Sequence, residues 1–325
     1  MNTPVPTAVA PHAAFLHDLH SALATQPHCI SPKYFYDELG SLLFERICSL
    51  PEYYPTRTEL ALLQRHAHDI ADLAGAHAEI VEFGAGSLLK VRLLLAALEQ
   101  PARYLPIDIS CAHLMNAAQH LARDYPHLCV QPIAADYTQF LSLPTPLAHA
   151  GQRVGFFPGS TIGNFTPQER LQFLQTAAQV LHGGALLLGV DLVKSPATLH
   201  AAYNDAQGVT ASFNLNLLAR ANRELDCNFV LAQFAHHAFY NAPQRRIEMH
   251  LVSQCRQHVQ LAGQCYEFAK GDSLHTENSY KFSLDDLHEQ AIQAGFTPGP
   301  VWTDAEQLFC VCWLYAPPQP LAAAP

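Results

Sequence analysis

Five stretches of this 325-residue chain carry an apolar run into glycines or acids. AEIVEFGAG supplies Glu82, Gly84 and Gly86, YLPIDIS supplies Asp108, and CVQPIAADY supplies Asp136 and Tyr137. RVGFFPGSTIGN carries Gly159 to Asn164, and GALLLGVDLV ends at Asp191. Each run has the length and apolar content of a buried strand, and helical patterns such as SLLKVRLLLAALEQ separate them. Strands alternating with helices predict a parallel sheet covered on both faces, an α/β fold. Such sheets bind ligands beyond the carboxyl ends of their strands, where these glycines and acids fall. Glycine lets the backbone approach a ligand closely, and a helix opening near Ser87 would aim N–H groups at it. A carboxylate ending the second strand suits a ribose diol, because it accepts both hydroxyl hydrogens.

That arrangement serves either a dinucleotide or S-adenosylmethionine. A dinucleotide fingerprint needs a third small residue three positions after Gly86, where helix and strand pack closely, and Leu89 stands there. A pyrophosphate welcomes positive charge, whereas this rim, with Glu82 and Asp136, is acidic and tolerates a sulfonium. A single GxG is weak by itself, and a glycine turn without a ligand is the plain alternative. The chain has no GxSxG elbow, no HExxH and no P-loop. His236-His237 would face opposite sides of a strand, which favours a surface pair over metal ligands. Tyr34, Phe35, Tyr36, Phe44, Tyr53 and Tyr54 crowd one segment, and packing is their plainest role. Asn164 could cap a helix, since Thr166-Pro167 and Glu169 follow it. Thr276 to Ser279 could be a polar turn, and Glu248 an exposed strand residue.

Positioning these residues takes more than the strand runs. Residues 13–72 read as helices with breaks at Gly40 and Pro51. Residues 196–228 read as helical, RIEMHLVSQC and HVQLAGQCYEF as antiparallel strands, and Leu284–Ala294 as a helix before two final strands. The sheet domain is expected at 60–195 plus 285–317. A second domain is expected from 13–59 plus 196–284, with flexible tails at 1–12 and 318–325. Apolar residues make up 49% of the chain and charged ones 14%, against roughly 25% in a typical soluble protein. The net charge of -10 argues against nucleic acid and anionic membranes as partners. Nine cysteines without a CxxC pair fit reduced thiols and a cytoplasmic location. Neither a signal peptide nor an apolar run of ~18 residues is visible.

The runs SPKYFYDELGSLLFERICSLPEYYPTRTE, VEFGAGSLLKVRLLL, GSTIGNFTP, VDLVKSPATLHAAYNDAQGVTASFNLNLLARANREL, RIEMHL and TENSYKFS occur in this order. Together they resemble the L-histidine Nα-methyltransferases of ergothioneine biosynthesis, over about residues 30 to 315. The resemblance implies a Rossmann-like class I methyltransferase sheet with an α+β substrate-binding domain. It implies a monomer that uses S-adenosylmethionine, without a metal, to convert L-histidine into Nα,Nα,Nα-trimethyl-L-histidine (hercynine). By motif position, Gly84, Gly86, Lys90, Asp108, Asp136 and Tyr137 would form the cofactor site. Asn164 and Tyr203 would hold the amino and carboxylate groups of the substrate. Glu277 and Ser279 would grip its imidazole, with Tyr53 and Met249 beside the ring, and Tyr36 and Phe44 would line the transfer site. The family usually has an aliphatic residue at Asn278 and a small one at Tyr280. Both should face away from Glu277 and Ser279 if the segment is an extended strand. A methyltransferase of another amino acid, a non-catalytic sensor of the same ligands and a nicotinamide-dependent dehydrogenase are the alternatives.

Overall fold

The stretch Ala185–Asp191 is buried at every position, the signature of a strand covered on both faces. In the computed structural model, which describes residues 11–86, 88–139 and 142–318, it lies near the middle of a mainly parallel sheet. The strand order is Thr297–Thr303, Phe309–Tyr315, Ala185–Asp191, Arg153–Phe157, Glu79–Phe83, Arg103–Asp108 and Cys129–Val130. Ile133–Ala134 pairs with the far end of Arg103–Asp108. Phe309–Tyr315 runs antiparallel to both of its neighbours, and the remaining pairs are parallel. The chain leaves Glu79–Phe83 toward one edge and returns to its other side at Arg153–Phe157. That reversal is the switch point at which doubly wound sheets hold their ligands. The α/β, Rossmann-like expectation therefore holds.

The opposite ends of these strands are stitched by charge. Glu79 is the register partner of both Arg103 and Arg153. Its fully buried carboxylate takes Arg103 at 2.7 Å and Arg153 at 2.9 Å. Above them, Leu187, Val154, Ile80 and Tyr104 fill one face of the sheet, and Leu186, Leu188, Val81 and Leu105 the other. Helix Pro167–Val180 starts with a reciprocal capping box between Thr166 and Glu169.

Two compact units divide the chain. Of the described residues, one takes those up to Ile47, His200–Asn241 and Ile247–Asn278; the other takes Cys48–Leu199, Ala242–Arg246 and those from Ser279 onward. Residues 48–59, 196–199, 242–246 and 279–284 thus group with the large sheet, although they were expected in the second domain. The first unit holds most of a four-stranded sheet in the order His28–Cys29, Ser273–Tyr280, Arg246–Ser253, Phe234–Asn241. Helices Pro11–Ala24 and Val209–Leu225 also belong to it. HVQLAGQCYEF forms two strands, Gln257–Leu261 and Gln264–Phe268, paired in a hairpin. Phe234–Asn241 is the strand that holds His236-His237, as expected for that pair, although its bounds were not read from the sequence. Of the expected flexible tails, residues 1–10 and 319–325 lie outside the described residues, whereas Pro11 and His12 open a helix.

Candidate functional site

At the switch point the backbone turns on two glycines in the left-handed region, Gly84 at φ +69° and Gly86 at φ +53°. Gly84 is also close-packed, since a Cβ there would stand 3.2 Å from the Tyr137 hydroxyl. The Gly84 N–H donates to the Ile107 carbonyl at 2.9 Å, which joins this turn to the end of the neighbouring strand. There Asp108 accepts the Gly86 N–H on Oδ2 at 3.1 Å and the Ser110 N–H on Oδ1 at 2.8 Å. A carboxylate offers about four acceptor sites. Asp108 is thus fixed in orientation by two of them and keeps capacity for two hydroxyls. Asp136 is held through Oδ1 by the Thr138 N–H and hydroxyl. Tyr137 packs edge-on to Phe83, Phe157 and Phe173.

Lys90 ion-pairs with Glu59 at 2.6 Å. Glu59 is fully buried, and both of its oxygens accept the Gly159 N–H at 2.9 Å. The lysine's charge is therefore neutralised beside the second glycine turn, which suits a cationic ligand better than a pyrophosphate. Glu59 lies in the TRTE run, which read only as the start of a helix. Its partner Gly159 is a hundred residues away, and no local pattern announces such a pair.

Three expectations at this end need correction. Glu82 does not face the rim: it is 1% exposed, bonded by the Tyr104 hydroxyl, and burial pushes its carboxyl up to about 8. Leu89 does not pack between helix and strand, being 55% exposed, while Leu88 at 2% takes that place. The dinucleotide is disfavoured by the Lys90–Glu59 pair and not by Leu89. The helix start expected at Ser87 falls on a residue outside the described ones; the helix runs Leu89–Ala97.

Asp191 is a buried charge centre and not a rim acid. Tyr54 donates to both of its oxygens at 2.8 Å, Lys194 reaches it at 2.5 Å and Lys281 at 2.8 Å. Burial lowers the Lys194 ammonium to about 8, against the pull of Asp191. Lys281, itself 3% exposed, also donates to the Ser279 hydroxyl oxygen at 2.8 Å. Asn164 ends the short turn Thr161–Asn164, and Thr166, not Asn164, caps the helix that follows. Tyr53 is half-buried just ahead of helix Tyr54–Arg65.

In the other unit, Tyr36 and Phe44 are half-buried and meet Phe213 in a cluster of rings with centroids 5.6 to 5.9 Å apart. Tyr34 and Phe35 are core, so the aromatic segment divides into packing and part-exposed faces. Asp37 anchors it, accepting from Gly40 N–H at 2.7 Å and Asn216 at 2.8 Å. Tyr203 is buried at the end of helix Pro196–Tyr203, and its carbonyl is bonded by His236 at 2.9 Å. His236 also meets Asn214, and burial lowers its pKa, so it is not the surface residue expected; His237 is exposed. Glu248 is buried rather than exposed, and Asn241 donates to it at 2.8 Å. Met249 is 1% exposed on the strand face shared with Ile247 and Leu251.

Residues 276–279 lie in the strand Ser273–Tyr280 and form no turn. Thr276 points to Asn214, and Glu277 is half-buried. Alternation sets Glu277 and Ser279 to one side and Asn278 and Tyr280 to the other. Tyr280 is occupied there: its hydroxyl accepts from Arg246 at 2.6 Å, and its ring stacks under Arg170 at 4.9 Å.

Comparison with known proteins adds three relatives and one family. Residues 15–316 match the family model described as histidine-specific methyltransferase, SAM-dependent. The chain is 41% identical to the histidine N-alpha-methyltransferase of Mycolicibacterium smegmatis over 90% of its own length and 91% of the relative's. It is 39% identical to the protein of the same name from Mycobacterium tuberculosis, over 91% and 92%. Ergothioneine biosynthesis protein 1 of Neurospora crassa is 31% identical over 82% of this chain, which spans 31% of that longer protein.

Proposed function

The chain belongs to the S-adenosylmethionine-dependent, histidine-specific methyltransferases, and we propose that it trimethylates the α-amino nitrogen of L-histidine, giving hercynine, the first step toward ergothioneine. The residues at the switch point fit the cofactor: Asp108 keeps acceptor capacity for a ribose diol, and Lys90 is neutralised by Glu59. Gly84, Gly86, Asp136 and Tyr137 complete that set. S-adenosylmethionine, when bound, supplies the methyl group on a sulfonium centre.

The observation that carries the substrate assignment is the Lys281–Ser279 bond beside Glu277. An ammonium can only donate, so the Ser279 oxygen accepts from it and the hydroxyl hydrogen must be directed elsewhere. Ser279 then offers a donor and Glu277 an acceptor, two positions apart on one strand. A neutral imidazole presents one nitrogen of each kind, and this pair selects one tautomer of it. Asn164 and Tyr203 are assigned the amino and carboxylate groups, and Tyr53 and Met249 the neighbourhood of the ring. Tyr36 and Phe44 are assigned the transfer site, where aromatic faces tolerate a nitrogen that gains positive character with each methyl. Methyl transfer is an in-line displacement, so positioning a neutral amine is the main task.

The same reading has a monomer in the cytoplasm, without nucleic-acid or membrane partners. The cytoplasmic setting and the lack of those partners are supported by the acidic charge and by cysteines that form no disulfide among the described residues, in which no helix is long and apolar enough to span a membrane. The test is mass spectrometry of products from L-histidine and a panel of other amino acids. Mono-, di- and trimethylhistidine are expected; turnover of another amino acid alone would refute the substrate.

A further inference from the structure

Three side chains on the four-stranded sheet converge without a part in the chemistry above. Glu248 and His250 stand two residues apart on one strand and so share a face. His275 comes from the adjacent strand. One donor atom from each lies within 4.8 Å of the others. The rings of His250 and His275 are nearly parallel, with centroids 4.5 Å apart.

We propose that Glu248, His250 and His275 bind one divalent transition cation of the zinc type. Every donor has a second partner that orients it. Asn241 holds Glu248 Oε1 at 2.8 Å, leaving Oε2, which faces His250 Nε2 at 3.2 Å. Ser273 Oγ meets His250 Nδ1 at 3.2 Å, so Nε2 is the nitrogen turned toward the cluster. His275 Nε2 meets the Glu277 carbonyl at 3.0 Å; a carbonyl only accepts, so Nε2 carries the proton and Nδ1 is the nitrogen that bears a lone pair in the neutral ring. Metal-ligating histidines carry such outer partners as a rule, because the far hydrogen bond sets the tautomer.

Two imidazoles and one carboxylate form a set that zinc accepts, with a fourth position for water. Two imidazoles also favour a transition metal over magnesium or calcium, which prefer all-oxygen sites. Donors about 2.0–2.1 Å from a tetrahedral ion stand roughly 3.4 Å apart. The donors, within 4.8 Å of one another, must draw closer to reach that spacing, which requires the two stacked rings to turn. The cation would bridge neighbouring strands two residues from Glu277, on the segment that carries it.

The test uses the full chain without a polyhistidine tag, stripped with chelator and titrated with Co2+ and then Zn2+. One equivalent of saturable Co2+ with visible absorption bands, displaced by Zn2+, is expected. A His250→Gln/His275→Gln double variant should lose that equivalent. Asn241→Ala should weaken binding by about 10- to 100-fold while circular dichroism stays unchanged. The absence of a saturable wild-type site would overturn the proposal. So would an affinity unchanged in the double variant, which would place the cation on other histidines.

Discussion

At the scale of single residues, hydrogen-bond direction does most of the functional sorting. On the proposed assignment Ser279 donates to the imidazole, because its oxygen accepts from Lys281, and Glu277 accepts when ionised. Ser279→Ala should raise the KM for histidine about tenfold or more, the value of a hydrogen bond of ~1.5 kcal/mol, and leave the KM for S-adenosylmethionine within twofold. Equal effects on both would deny the assigned role. Glu277→Ala should act in the same direction and more strongly. Glu82 gives a pH signature of a different kind. Burial raises its folded pKa from 4.5 to about 8, so the folded state keeps a proton that the unfolded chain has released. This group's contribution to stability is full below pH 4.5 and is lost as pH rises toward 8. Urea unfolding at several pH values should show wild type losing stability over that window by roughly a few kcal/mol more than Glu82→Gln. Parallel curves would contradict the burial of an uncharged Glu82.

At the scale of elements, four of the five expected parallel strands were legible as apolar runs ending in glycine or acid, whereas CVQPIAADY, interrupted by Gln131-Pro132, forms only the two-residue strands Cys129–Val130 and Ile133–Ala134 at the sheet edge and stops short of Asp136. The glycine turns were legible for the same reason, and both glycines do hold positive φ. Around His236-His237 only a strand was legible and not its bounds, because FAHHAFYN buries only Phe234 and Ala238 and shows no contrast of period two. Glu59 and Lys281 were also silent, since their partners Gly159 and Asp191 are distant in the chain. Leu89 misled because the helix begins at that residue and turns it outward, so counting positions from Gly86 picked the wrong leucine. The charge stitch at the strand starts gives a stability test. Glu79→Ala would strand Arg103 and Arg153 without their shared carboxylate. Denaturant unfolding should register a loss of ~3–5 kcal/mol, the cost of breaking a buried pair from one side. A loss under ~1 kcal/mol would mean the arginines find other compensation.

At the scale of the whole molecule, the chain threads repeatedly between two compact units, each assembled from segments far apart in sequence. Composition and periodicity gave the large sheet; they could not place residues 48–59, whose attachment rests on long-range contacts such as Tyr54 to Asp191. The residues proposed for the cofactor all belong to the unit with the large sheet. S-adenosylhomocysteine alone, at a hundred times its Kd, should therefore stabilise the protein by about 2.7 kcal/mol in a thermal or denaturant scan. Asp108→Ala should reduce that gain sharply. An unchanged gain would mean that the ligand binds elsewhere. The most direct test of the central claim is mass spectrometry of the purified chain with S-adenosylmethionine and L-histidine. The account predicts successive mass gains of one, two and three methyl groups on the α-amino nitrogen, ending in hercynine; unchanged histidine beside a methylated product from a different amino acid would contradict it.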